Sequence, residues 1–241
     1  MVYLRSVLFY LGMTVITLLH NALIPFTYLV PISHHQRYAY LVLWSRVVMV
    51  WLRLCCGLTY RVIGTENIPA GPAIILAKHQ SAWETIALQQ IFPPQTWVLK
   101  RELFYIPFFG WALRATKPVA INRGSTKEAL RQVLQQGKQR LDEGLWMVIF
   151  PEGTRTLPGT RGRYAVGGAL LAERSRYPVV PVAHNAGEFW KASGFLKYPG
   201  EITVVIGPVI DSTQFKAGEI NHQVEQWIEA TMDRITTLKP D

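Results

Sequence analysis

Apolar and polar positions divide the 241-residue chain into two regimes. Through residue 60 the chain is almost continuously apolar: no Asp, Glu or Lys occurs, and only Arg5, Arg37, Arg46 and Arg53 are charged. An apolar run over 7–19 is interrupted by His20 and Asn21 and resumes over 22–31 across Pro25. Its uninterrupted part is shorter than the roughly 20 residues a helix needs to cross a bilayer. Arg5 ahead of an apolar core has the look of a signal peptide, but no small-x-small cleavage pattern follows Leu19, so the segment is read as retained. The second apolar stretch, 38–56, carries Arg46 and Arg53 seven positions apart, within about 20° of one another on a helix. One basic stripe and a broad apolar face predict a helix in the membrane interface, with guanidinium groups on lipid phosphates and Trp44 and Trp51 near the head groups.

From residue 58 onward the pattern changes to short apolar runs bounded by turn residues. Runs over 73–77, 97–99, 119–121, 146–150, 179–183 and 202–206 predict strands. Helix-period segments lie between them. The clearest spans 126 to about 143, with Leu130, Val133, Leu134 and Leu141 on one face, Gly144 as its stop, and Ser125 with Glu128 as a capping box. A last helix over 220–235 aligns Val224, Trp227, Ile228 and Met232. The alternation predicts an α/β domain with a largely parallel sheet flanked by helices, and places the ligand site at strand ends. The organisation is thus an N-terminal membrane-associated helical pair, residues 1–57, followed by an α/β domain, residues 58–241.

Composition sharpens this picture. Hydrophobic residues make up 49% and charged residues 17%, against a typical ~25% charged, which excludes a disordered chain. The 25 Lys+Arg against 16 Asp+Glu give a net charge of +9, so acidic partners are expected. A nucleic-acid binder is disfavoured, because the acid-free region coincides with apolar residues and not with a Lys/Arg stripe. Cys55 and Cys56 are the only cysteines, which excludes a disulfide scaffold and a Cys-x-x-Cys metal knuckle.

The chemistry concentrates behind two strands. After 73–77 come Lys78, His79, Gln80, Ser81, Ala82, Trp83 and Glu84, then a helical run over 85–91. His79 in the loop and Glu84 in the first helical turn allow the carboxylate to reach one imidazole nitrogen, leaving the other as a free base for a substrate hydroxyl. Ser81 and Glu84 also form a capping box, so Glu84 has a purely structural reading as well. The second signal, Phe150-Pro-Glu-Gly-Thr-Arg155, follows the strand at 146–150 and precedes several glycines. Glycine density lets backbone amides approach an anion, Arg155 is able to fork onto a phosphate, and Arg161 and Arg163 add to the positive field. No Walker loop or Gly-x-Gly-x-x-Gly fingerprint is present.

Residues 79–84, the Lys100, Arg101, Glu102, Leu103 run with Pro107 and Gly110, Ile121-Asn-Arg123, residues 150–155, and Val180-Pro181-Val182 stand in the order of the sequence blocks of the glycerolipid acyltransferases. The chain resembles that family, and within it the bacterial 1-acylglycerol-3-phosphate (lysophosphatidic acid) acyltransferases. The resemblance implies transfer of a fatty acyl group from an acyl thioester, carried on coenzyme A or acyl carrier protein, to the sn-2 hydroxyl of the acceptor, giving phosphatidic acid for phospholipid biosynthesis. It implies His79 as the base and Glu84 as the group orienting it. It implies Lys100, Arg123 and Arg155 as holders of the acceptor phosphate, and Glu152, Gly153 and Thr154 as residues shaping the acceptor site. No metal and no bound cofactor are expected. Attachment to the cytoplasmic (inner) membrane, with the catalytic domain facing the cytoplasm and membrane lipids as partners, is implied as well. One departure stands out, since the family usually has Asp at the position of Glu84. Another lysolipid acceptor, such as lyso-ornithine lipid, and a non-catalytic membrane lipid-binding role remain the competing readings.

Overall fold

The structure is a computed structural model describing residues 1–106, 109–121 and 126–237. It opens with two long helices, α1 (Val2–Ala22) and α2 (His34–Cys56). The α1 helix does not stop at the polar pair that interrupts its apolar run. The His20 ring stacks on Tyr40 with centroids 4.3 Å apart, its Nε2 lies 2.9 Å from the Tyr40 carbonyl oxygen, and Asn21 is buried. His20 thus joins the two helices, and both are long and apolar enough, by length and composition, to cross a membrane. At ~1.5 Å per residue, 21 residues extend about 32 Å. Each helix leaves one stripe uncovered: Leu4, Leu8, Leu11, Val15 and Leu18 on α1, and Leu43, Val47, Val50 and Leu54 on α2.

Trp44 and Trp51, expected near head groups, are half-buried, and their indole N–H groups bond across the helix pair. Trp44 Nε1 donates to Thr17 Oγ1 at 3.0 Å and Trp51 Nε1 donates to the Phe9 carbonyl at 3.2 Å, both within the helix pair. An indole N–H in an apolar contact needs a partner, and the facing helix supplies one. Arg46 and Arg53 are exposed, as the stripe predicts.

Helix α2 ends at Gly57, whose φ of +68° is the left-handed conformation that glycine adopts without strain, and the next residue opens β1 (Leu58–Ile63). The pattern of the sequence does not reveal β1. It follows the helix without an intervening loop, and Arg61 lies exposed on it, breaking the apolar run. The rest of the order is β2 (Ile74–Ala77), α3 (Trp83–Ile91), β3 (Gln95–Lys100), α4 (Phe109–Ala115), β4 (Val119–Ile121), α5 (Thr126–Asp142), β5 (Trp146–Ile149), α6 (Gly167–Ser175), β6 (Val179–His184), α7 (Ala186–Phe189), β7 (Gly200–Ile206) and α8 (Ala217–Ile235). All six strands predicted from the pattern are present, with ends shifted by at most two residues. Helix α5 ends at Asp142, two residues before Gly144 turns the chain with φ +84°, while the Ser125 proposed as its cap lies outside the described residues.

The seven strands form one sheet in the order β1-β7-β6-β2-β5-β3-β4, parallel throughout except for the β6–β7 pair. Strand alternation feeds two cores. Ile75, Ala77, Trp146 and Val148 face a cluster containing Val48 and Leu52 of α2 and Trp83 and Leu88 of α3. Ile74, Leu76, Met147 and Ile149 face Leu141 of α5, Leu171 of α6, and Val224 and Ile228 of α8. The helix pair therefore shares a core with the domain. One consequence positions the site. Neighbouring parallel strands β2 and β5 are followed by α3 and α6, which pack on opposite faces, so the chain diverges beyond their carboxyl ends and leaves a crevice there.

Candidate active site

His79 lies in that crevice, two residues past the end of β2, with 15% of its side chain exposed. Glu84 lies in the first turn of α3 and is fully buried. Its Oε1 accepts from His79 Nδ1 at 2.7 Å, from the Ser81 N–H at 2.9 Å and from the Gln80 N–H at 3.1 Å. Ser81 Oγ accepts from the Trp83 N–H at 3.1 Å. Glu84 thus caps the turn and grips the imidazole with the same oxygen. Holding a proton on Nδ1 leaves Nε2 as the basic nitrogen, an assignment made from the bonding pattern. Burial pushes the Glu84 carboxyl up. The His79 hydrogen bond, the neighbouring His184 and His79 rings and the Ser81 N–H outweigh burial and hold the group below its ordinary value.

The loop after β5 holds His79 from the other side. The His79 N–H donates to Glu152 Oε2 at 2.8 Å, and its carbonyl accepts from the Thr156 N–H at 2.8 Å. The Phe150 ring stacks on the imidazole with centroids 4.1 Å apart and 13° between planes. The Glu152 carboxylate, implied at the acceptor site, is turned inward, 2.8 Å from Lys78 Nζ and fully buried. A side chain at position 162 would place its Cβ 2.9 Å from Glu152 Oε1, which is a reason for glycine there.

Behind this lies a network that the sequence does not announce. Lys78, 1% exposed, also pairs with Glu229 Oε1 of α8 at 2.8 Å, and the Tyr164 hydroxyl donates to the same oxygen at 2.8 Å. Burial, with the Glu229 and Glu152 charges, pushes the Tyr164 hydroxyl far above its ordinary value. Lys78 next to His79 was a visible signal, but its partners lie 74 and 151 positions away. His184, at the end of β6 and fully buried, is likewise not marked by any motif in the sequence. Its Nε2 lies 2.8 Å from the Lys78 carbonyl oxygen, its Nδ1 accepts the Ala186 N–H at 3.3 Å, and burial holds it below its usual value, in the neutral form. Glu84 Oε2, which takes no hydrogen bond among the described residues, lies 4.0 Å from His184 Nε2.

The basic residues are placed unevenly. Lys100 ends β3, and the parallel ladder β2-β5-β3 brings that end to the same edge as His79; Lys100 is exposed. Gly153, Thr154 and Arg155 are exposed in the loop after β5, with Gly153 at φ +68°. Arg123 lies outside the described residues, as do Asn122 and Pro107. Arg161, expected to reinforce the positive field, is instead engaged with Asp233 of α8 at 2.8 Å. The arrangement is suited to deprotonating a hydroxyl that enters the crevice between β2 and β5.

Comparison with known proteins agrees with this chemistry. A family model described as Acyltransferase matches residues 59–185. A 1-acyl-sn-glycerol-3-phosphate acyltransferase of Pseudomonas aeruginosa is 44% identical over 98% of this chain and 93% of its own. An enzyme of that description from Helicobacter pylori is 33% identical over 54% of this chain and 57% of its own. In fold, the chain is similar to the crystal structure of the 1-acyl-sn-glycerophosphate acyltransferase of Thermotoga maritima, with a TM-score of 0.82 and 22% identity, over 99% of this chain and 97% of that one. With a family model spanning more than half its length and a relative aligned nearly from end to end, the chain belongs to the acyltransferase family.

Proposed function

We propose that this acyltransferase moves a fatty acyl group from an acyl thioester to the free sn-2 hydroxyl of 1-acylglycerol-3-phosphate, giving phosphatidic acid. The observation that carries the reading is the 2.7 Å contact of Glu84 with His79 Nδ1 at the strand-end crevice, in a chain so similar to the Pseudomonas enzyme. His79 Nε2 takes the hydroxyl proton as the oxygen attacks the thioester carbonyl. The tetrahedral intermediate then collapses, the C–S bond breaks, and the imidazolium returns its proton to the departing thiolate. No acyl-enzyme forms in this scheme. Glu84 stabilises the imidazolium, while Glu152 and Thr156 fix the backbone that carries it.

Lys100, Arg123 and Arg155 would hold the acceptor phosphate, and Gly153 and Thr154 would border it. Glu152, with its carboxylate turned inward, would shape the site by fixing the loop that bears these residues. The exposed apolar stripes of α1 and α2 support attachment to a membrane, and we place the protein at the cytoplasmic membrane with its crevice on the cytoplasmic side. The donor is coenzyme A or acyl carrier protein. The test is purified full-length protein with 1-acylglycerol-3-phosphate and an acyl thioester, wild type against His79→Ala. A drop of about 10²- to 10⁴-fold with the fold intact is expected. Near-normal turnover of His79→Ala sinks the assignment, and preference for lyso-ornithine lipid over the phosphate acceptor changes the substrate.

A further inference from the structure

We infer that Phe150 is a positioning residue for His79, its ring face steadying the imidazolium that forms as the hydroxyl proton is taken. The inference rests on His79 being the base, as proposed above. Glu84 grips the imidazole at one atom, Nδ1, and a single hydrogen bond leaves the ring free to pivot. Phe150 removes that freedom, because its ring lies 4.1 Å from the imidazole at 13°, nearly parallel. Trp97 lies beyond it at 6.2 Å and 20°, largely buried, so Phe150 is backed and held against the imidazole. The three rings step across β2, β5 and β3, His79 and Phe150 just past the ends of their strands and Trp97 within β3, strands whose register the sheet fixes.

Charged and titratable groups reach His79 at its edges. Glu84 comes from α3 onto Nδ1, and Glu152 from the loop after β5 onto the backbone N–H. Lys78, the preceding residue, is paired to Glu152 and to Glu229 of α8, and the neutral His184 of β6 sits behind Glu84. The ring contact described for His79 is with Phe150. An aromatic face carries negative potential, so it attracts a cation more than a neutral ring. Its benefit therefore grows as His79 becomes charged in the transition state, which is the kind of contact that raises kcat.

The test compares full-length protein carrying Phe150, Phe150→Tyr, Phe150→Leu, and pentafluorophenylalanine at position 150, which keeps the ring shape and reverses the sign of its face. Two readouts are taken as functions of pH: kcat/KM with an acyl thioester and 1-acylglycerol-3-phosphate, and the His79 imidazole titration by NMR of histidine-labelled protein. Losing the face disfavours the protonated ring, so the acid-limb midpoint should move to lower pH by about 0.4 to 1.5 units while plateau kcat/KM falls about 2- to 30-fold. Phe150→Tyr should retain both values, and the fluorinated ring should shift the midpoint in the same direction as Phe150→Leu. A role in packing alone would lower stability and turnover with the midpoint unmoved, and that result overturns the inference. If Phe150→Leu fails to fold, the fluorinated ring, close in shape to the native one, still decides. Near-normal turnover of His79→Ala removes the base assignment, whereas an unmoved midpoint with that assignment intact removes only the role of Phe150.

Discussion

Replacing Glu84 by Gln separates the two tasks that one oxygen performs. The amide keeps an acceptor oxygen for the Gln80 and Ser81 N–H groups, which stand at 3.1 and 2.9 Å, so most of the cap survives. What it loses is the negative charge facing His79. Two unit charges about 4 Å apart at an effective dielectric constant of ~20 interact by about 4 kcal/mol, an upper figure for the help Glu84 gives an imidazolium. That corresponds to about 10³-fold in rate, so kcat/KM should fall 10²- to 10³-fold. Stability should fall far less. Exchanging charge-assisted for neutral bonds at two N–H groups costs about 1 to 2 kcal/mol.

The pH dependence gives an independent check on that stability loss. The folded Glu84 carboxyl titrates below its unfolded value of ~4.3, so its stabilisation is complete above that value and fades as pH falls through the folded one. Glutamine has no such dependence. The stability gap between wild type and Glu84→Gln should therefore be largest near neutral pH and close on acidification below about 4. Urea unfolding at pH 7 and over pH 5 to 3, beside kcat/KM at pH 7, measures both quantities. Losses of equal size in activity and stability, or less than tenfold in kcat/KM, would refute the orienting role and leave Glu84 as a cap.

Lys78→Met should strand two buried carboxylates and destabilise the protein by about 3 to 5 kcal/mol, whereas removing Lys78, Glu152 and Glu229 charges together, as Met, Gln and Gln, should recover much of that; thermal unfolding of both variants checks it. Arg155→Ala should raise the acceptor KM by about 10- to 100-fold and leave the donor KM unchanged, with only partial rescue by Arg155→Lys, since a point charge lacks the planar fork; steady-state kinetics with each substrate varied decides. Leu8→Gln, Leu11→Gln, Leu43→Gln and Val47→Gln, combined, should weaken pelleting with vesicles while leaving thermal stability nearly unchanged, because those side chains are exposed; unaltered pelleting in high salt would place attachment elsewhere.

The parts of this protein legible in its sequence are those set by local chemistry. Short bounded apolar runs reveal β2 through β7, because both faces of the central strands are buried and the runs are apolar almost throughout. His79 and Glu84 lie five residues apart across one turn, so their encounter depends on local geometry alone. What stayed hidden depends on distance along the chain. Glu229 sits beside Ile228 on α8 and looks like a surface carboxylate until β2 brings Lys78 against it. His184 closes a strand that is apolar otherwise, and only the β2–β6 pairing shows that it bonds the peptide leading into His79. The strand β1 and the full length of α1 were obscured for the opposite reason, since a few polar residues interrupt patterns that tertiary partners make continuous.

The glutamate at position 84 is the point where resemblance and geometry pull apart, and the structure shows how the longer side chain is accommodated. With the α3 N-cap at Ala82 and the first helical residue at Trp83, the extra methylene lets Oε1 fold back onto the preceding turn and reach three donors at once. The second oxygen is buried beside His184 and takes no hydrogen bond among the described residues, an arrangement that costs about 1 to 3 kcal/mol in a protein interior. Such a cost is tolerated where it serves a reaction. Further donors on that oxygen would lower the basicity of the carboxylate while leaving its charge in place. Here His184 gives its Nε2–H to the Lys78 carbonyl, so it holds the strand end in place without quenching Glu84. The negative charge remains available to His79, and the oxygen that holds the Nδ1 proton is fixed in place by the Gln80 and Ser81 N–H groups.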